Sequence, residues 1–150
     1  MKNVGVYNHS MEGFKFFHPI EIRYGDLDPQ GHVNNAKFFT YLEQSRVSYI
    51  INLGLWDGRT FFKIGFVLAD AQLTFKKEIL FGTAVRVGVR VAGMGNKSLI
   101  MEYSIEDQDG VQEFAVGRTV LVTYDYQRAA TIPIPENWRR AITEFEGLVF

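Results

Sequence analysis

The sequence predicts an α+β domain in which a curved antiparallel β-sheet wraps one long central helix. Three observations predict it. One segment, about Asn35 to Leu53, repeats its apolar residues at helical spacing. Later segments alternate with the period of a strand, and short turns join them, which makes sequential strands antiparallel. A lone apolar helix must bury its stripe, and the sheet is the surface available.

Taken in order, residues 1–15 read as a loosely patterned arm, and Phe16 to Tyr24 as the first strand. A polar segment, Gly25-Asp26-Leu27-Asp28-Pro29-Gln30-Gly31-His32, has the composition of a loop. In the helix, Phe39, Leu42, Arg46, Tyr49, Ile50 and Leu53 recur at helical spacing; Asn34 or Asn35 can cap its start and Gly54 suits its stop. About eighteen residues make a rod of roughly 27 Å, long for so small a domain. Gly65 to Lys76 is the second strand. In Thr83 to Met94, Val85, Val87, Val89 and Val91 face one way and Arg86, Gly88 and Arg90 the other. Gly93 to Asn96 is a hairpin turn. Ser98 to Glu106 alternates through Leu99, Met101, Tyr103 and Ile105, Asp107 to Gly110 turns the chain, and Val111 to Tyr124 is the last long strand. Pro133 and Pro135 stop extended structure, and Glu136 to Glu144 forms a short helix. Long strands with Arg86 and Arg90 outward and aromatics nearby suggest that another subunit covers part of the sheet.

Composition narrows the chemistry. The chain has 150 residues and no cysteine, which excludes a disulfide framework, a Cys nucleophile and thiolate zinc sites. A formal charge of −1 argues against a nucleic-acid partner. No apolar run is long enough for a membrane span, and no signal-peptide pattern opens the chain, so a cytoplasmic location is expected. The three histidines, His9, His18 and His32, are not at metal-ligand spacing, and there is no Gly-x-Ser-x-Gly elbow. Gly93 to Ser98 is a faint phosphate-loop likeness better read as the hairpin turn.

The remaining place for chemistry is the loop before the long helix. The first amides of a helix lack internal partners, and the helix dipole adds about half a positive charge there. A carbonyl placed against them is polarised and an oxyanion stabilised. A carboxylate nearby can attack an acyl carbon or deprotonate a water. Together they form a minimal acyl-transfer site without Ser or Cys. The competing reading is that Asp26 and Asp28 hold turns and Asn34 caps the helix.

The segment from Ile22-Arg23-Tyr24 through Asp26-Leu27-Asp28-Pro29-Gln30-Gly31-His32-Val33-Asn34-Asn35 resembles the signature of hotdog-fold acyl-CoA thioesterases of the 4-hydroxybenzoyl-CoA thioesterase family. The helix opening Ala36 to Glu43 with Ser45-Arg46, the stretch Leu73 to Gly82, Lys97-Ser98 and Ile132 to Pro135 are similar to the family too, so the resemblance covers residues 16–143. It implies the hotdog fold, hydrolysis of an acyl-CoA thioester, no cofactor beyond the CoA of the substrate, and dimers or tetramers with sites at subunit interfaces. By position it makes Asp28 the catalytic carboxylate, nucleophile or general base, and Asn35 the polarising amide. Tyr24, Gly31, His32, Val33 and Asn34 fall at the acyl end or hold its loop, Lys97 and Ser98 fall at CoA-binding positions, and Lys76 and Lys77 either meet CoA phosphates or form a solvated pair on an edge strand. Gly95 and Asn96 stand where the family favours Arg. Asp26 reads as structural, and Glu43 as a polar contact at an interface, although other hotdog thioesterases use a Glu on this helix. Gly25 to Pro29 resembles the aromatic-acyl branch, and His32 to Asn35 resembles members acting on aliphatic chains. Two alternatives remain: an acyl-carrier-protein thioesterase, docking through Lys63, Lys76, Lys77 and Arg86, and a non-catalytic acyl-CoA-binding protein.

Overall fold

The computed structural model describes residues 13–60 and 63–150. The helix α1 spans Asn35–Asn52, with Asn34 as its N-cap and Leu53 at its end, as the spacing predicts. Phe38, Tyr41, Leu42, Ser45 and Tyr49 are its buried residues. Around it lie β1 (Phe16–Ile20), β2 (Ile64–Phe75), β3 (Val85–Met94), β4 (Ser98–Asp107), β5 (Glu113–Asp125) and the short β6 (Ala130–Thr131), followed by α2 (Glu136–Glu146). The pairings are antiparallel throughout. This is the helix-in-sheet architecture of the hotdog fold.

The alternation puts Val85, Val87, Val89 and Val91 of β3 and Leu99, Met101, Tyr103 and Ile105 of β4 into the core beneath α1. Burying such aliphatic side chains contributes roughly 1.5–3 kcal/mol each. α2 docks through Trp138 and Ile142, and Trp138 packs on Phe66 of β2 with ring centroids 5.0 Å apart. Glu146 at its end is buried. It accepts hydrogen bonds from the Tyr49 hydroxyl at 2.6 Å and the Val91 amide at 3.0 Å, so helix and sheet are tied by one carboxylate.

Several expectations are corrected. The order across the sheet is β1-β3-β4-β5-β2, so β2 lies beside β5 and not beside β3. The segment 76–84 is no hairpin turn but a crossing at the end of the sheet, tied in by a bridge between His32 and Leu80. The first strand ends at Ile20, because the chain turns into a 3-10 helix, η1, at Tyr24–Asp26. The β3–β4 turn is Gly95 to Lys97, closed by the Gly95 amide on the Ser98 carbonyl, while Gly93 and Met94 remain in the strand past a bulge. Apart from these corrections, the outward side chains of Arg86 and Arg90 are partly covered from within the chain. Arg86 lies over the Phe17 ring at 3.9 Å and Arg90 over the Phe14 ring at 4.4 Å. Both arginines also pair with acids of β4, Glu106 at 2.7 Å and Glu102 at 3.0 Å. Gly88 makes this possible: a Cβ there would stand 2.9 Å from the Phe14 ring.

Among the phenylalanines, Phe38 belongs to the core, Phe39 and Phe81 are exposed, and Phe66 is partly buried. Phe61 and Phe62 lie outside the described residues. So does most of the arm, including His9.

Candidate active site

The loop between η1 and α1 folds as a miniature hairpin. Leu27 and Val33 bridge, the Asp28 amide donates to the His32 carbonyl at 2.8 Å, and the Gly31 amide donates to the Asp28 carbonyl at 3.0 Å. A turn through Pro29 and Gln30 must be followed by a left-handed residue to close so short a loop, and Gly31 supplies it at φ +82°. The Asp28 side chain holds the turn from inside. Its Oδ1 accepts from the Gln30 amide at 2.9 Å and the His32 amide at 3.2 Å. Among the described residues, no hydrogen bond falls on Oδ2. The turn-holding and chemical readings of Asp28 are therefore compatible, since they use different oxygens.

The amides leading into α1 are nearly all engaged. Val33 donates to the Ile79 carbonyl, Asn34 to the Asp26 carbonyl and Lys37 to the Asn34 carbonyl, at 2.8–2.9 Å. The Ala36 amide is capped by the Asn34 side chain at 2.9 Å. Only the Asn35 amide in this run has no protein acceptor among the described residues. It is the first amide of the helix, where the dipole favours negative charge.

Asp28, His32, Val33, Asn34 and Asn35 line one open cavity of about 300 Å³, together with Gln30, Phe38, Phe75, Lys77 and Glu78. Gly31 forms the turn beside it. Phe38 and Phe75 stack edge to face at 5.0 Å and supply its apolar wall. Sequence reading missed Phe75, because the strand that carries it reaches the site only through the non-local β2–β5 pairing.

Other expected site residues lie elsewhere. Tyr24 does not line the cavity; it is 83% exposed, with its ring against Phe81 at 6.4 Å. Lys77 lines the cavity, but its neighbour Lys76 is drawn to Glu113 at 2.6 Å. Lys97 and Ser98 sit at the β3–β4 turn, the opposite end of the sheet from the start of β3, and Lys97 bonds Thr131 Oγ1 at 3.1 Å. Within one chain they do not join Asp28. Glu43 lines a second cavity of about 310 Å³, with Arg46, Val47, Ile50, Trp56, Thr60, Lys63, Ile64, Gly65, Phe66, Tyr126 and Trp138. That cavity borders the first residues of β2, and the Asp28 cavity borders the last. Asp26 is 1% exposed, and its carboxylate is held by the Arg23 amide, the Arg23 guanidinium and the Tyr41 hydroxyl. Its structural reading stands on those bonds.

A carboxylate oxygen and a helix-start amide without a protein acceptor, on one cavity, are groups able to act on an acyl carbonyl. The family model of the thioesterase-like superfamily matches residues 22–142. The chain belongs to that superfamily. Thioester hydrolysis is accordingly its class of reaction. A crystal structure of a thioesterase from Thermus thermophilus, complexed with coenzyme A and zinc, is 35% identical. That likeness covers 93% of this chain and 100% of the other, with a TM-score of 0.78. The uncharacterized protein YsmA of Bacillus subtilis is 28% identical over 73% of this chain and 72% of its own length. The long-chain acyl-CoA thioesterase FadM of Escherichia coli is 21% identical over 83% of this chain and 95% of its own. Among the described residues no three His, Asp or Glu side chains gather as a metal site, and no helix is long and apolar enough to cross a membrane.

Proposed function

We propose that this superfamily member hydrolyses an acyl-CoA thioester to a free carboxylic acid and CoA. The observation that carries the reading is the pairing of one open carboxylate oxygen, Asp28 Oδ2, with the unpaired Asn35 amide on a single cavity. The thioester carbonyl takes the position in front of the helix, and the Asn35 amide receives the charge that develops on its oxygen. As general base, Oδ2 takes a proton from water while the water oxygen bonds the acyl carbon. The carbon–sulfur bond then breaks, and the thiolate leaves and is protonated. As nucleophile, Oδ2 itself bonds the acyl carbon, the thiolate leaves, and water hydrolyses the mixed anhydride. Both routes use only this chain's groups, water and the substrate, without a resident cofactor. Single-turnover hydrolysis in oxygen-labelled water separates them, because only the anhydride route can leave label in Asp28.

The CoA relatives and the loop signature support CoA as the carrier. Of the four cations considered for carrier-protein docking, Lys76 and Arg86 are paired within the chain, which weakens that alternative. The test is a thiol-release assay over benzoyl-, phenylacetyl- and straight-chain CoA esters from butyryl to palmitoyl, with the best acyl group also presented on carrier protein. Release from a CoA ester is expected. Faster release from carrier protein would favour the alternative carrier. Tight ester binding without any release would make the chain a binding protein.

The site is completed by a second copy of the chain. β2 is a long edge strand whose free edge carries exposed Ile64, Val67, Leu68 and Phe75, and such edges are normally covered. Two β2 edges paired antiparallel about a twofold axis place the Phe75 end of one beside the Ile64 end of the other. The Asp28 cavity of one chain then meets the aromatic-walled cavity of its neighbour, which suits an acyl group.

A further inference from the structure

We propose that Tyr41 and Asp26 form a positioning brace that sets Asp28 against the Asn35 amide. The inference rests on the roles given above to Asp28 and Asn35. Asp26 stands two residues before Asp28 and makes bonds in both directions. Its backbone carbonyl accepts from the Asn34 amide at 2.8 Å, which orients the N-cap residue and so the amide that follows it. Its carboxylate accepts from the Arg23 amide at 3.1 Å, closing η1 onto its own start, and from the Tyr41 hydroxyl at 2.8 Å. Tyr41 is carried on α1 itself, less than two turns beyond Asn35. The helix that presents the oxyanion-binding amide therefore also grips the segment that presents the carboxylate. Hairpin and helix are referenced to each other through a closed circuit: Asn35, Asn34, Asp26, Tyr41 and back along α1.

Two features argue for positioning beyond ordinary packing. Both side chains are buried, Asp26 at 1% exposure and Tyr41 at 5%, so their bond is shielded from competing water. The hairpin is otherwise anchored to the rest of the chain through few bonds, chiefly the Val33 amide on Ile79 and the His32–Leu80 bridge, and both lie on its far strand. On the near strand the brace is what fixes the approach of Asp28. A misplacement of about 1 Å between reacting groups can lower a rate by about a hundredfold.

The variant Tyr41→Phe keeps the ring and removes the grip. With the best CoA ester from the thiol-release panel, kcat is expected to fall about 10- to 100-fold while KM stays within about threefold. Asp26→Asn should show the same split, and the double variant should be no slower than the slower single one, because the two act as a unit. A melting curve on each variant identifies loss of fold. Independently of turnover, amide exchange by NMR should show the Asn34, His32 and Gln30 amides exchanging faster in Tyr41→Phe. Unchanged kcat with a lowered melting temperature, or a raised KM alone, would overturn the brace. So would unaltered exchange at those amides. If the unsubstituted chain releases no thiol from any ester, the functional reading fails, and the exchange measurement alone decides the brace.

Discussion

Replacing Asp28 by Asn separates its turn-holding bonds from the chemical role proposed for it. The amide oxygen of Asn keeps an acceptor for the Gln30 and His32 amides, so the turn and the melting temperature should hold. The open oxygen loses its charge and basicity, and kcat in the thiol-release assay should drop more than about a hundredfold. A smaller loss would remove Asp28 from the centre of the reaction. Asp26 makes a different prediction, in acid. Burial opposes its charge, but the Arg23 amide, the Tyr41 hydroxyl and the Arg23 guanidinium outweigh that and lower its pKa below the usual value of 3.8. A lowered carboxylate stabilises the fold above the unfolded pKa and loses that contribution as pH falls through the folded one. Asp26→Asn should therefore flatten the pH dependence of urea stability below about pH 4. His18 is lowered by desolvation. Its contribution is present above its unfolded value and fades as pH falls from about 6.5, so the two windows are distinct. That Asp28, Gly31 and Asn35 share one turn and helix start was legible because their types and spacing are local. Tyr41 was not, because nothing along the helix marks one buried tyrosine as the partner of an acid in a preceding loop.

Among the elements, α1 was readable almost to the residue, since its caps and its apolar period agree. The strands β3 and β4 were readable as well, each from its own alternation. Their order was not. Local period says which face of a strand is buried and is silent on its neighbours, so β2 beside β5 could not be read from adjacency in the chain. The hollow at Gly88 was also hidden, because it depends on Phe14 and Phe17 crossing the outside of β3. Gly88→Ala tests it. A Cβ 2.9 Å from the Phe14 ring must push both aromatics and loosen their stacking on Arg86 and Arg90. Such overpacking should destabilise by about 1–3 kcal/mol in chemical denaturation. Turnover should be preserved, since the hollow faces away from the helix side of the sheet.

For the whole molecule, the expected state is a dimer or a pair of dimers. Light scattering at micromolar concentration should give at least twice the 17.2 kDa of one chain. A monomer that still turns over would sink both the oligomer and the shared site. Leu68→Lys, placed on the exposed edge strand, should shift the mass toward one chain and lower turnover with it. Aromatic residues make up 15% of the chain. Part of that content is used inside the chain, by Phe14 and Phe17 over the arginines and by Phe38, which α1 itself carries into the core.

The cavity at the start of β2 has a spectroscopic consequence. The chain has two tryptophans, Trp56 and Trp138, and both line that cavity. Its intrinsic emission is therefore a local optical probe of one end of the sheet, and neither indole borders the Asp28 cavity. An acyl chain that crossed from Asp28 of one subunit into its neighbour would quench or shift that emission. One confined to the Asp28 side would leave the spectrum unchanged.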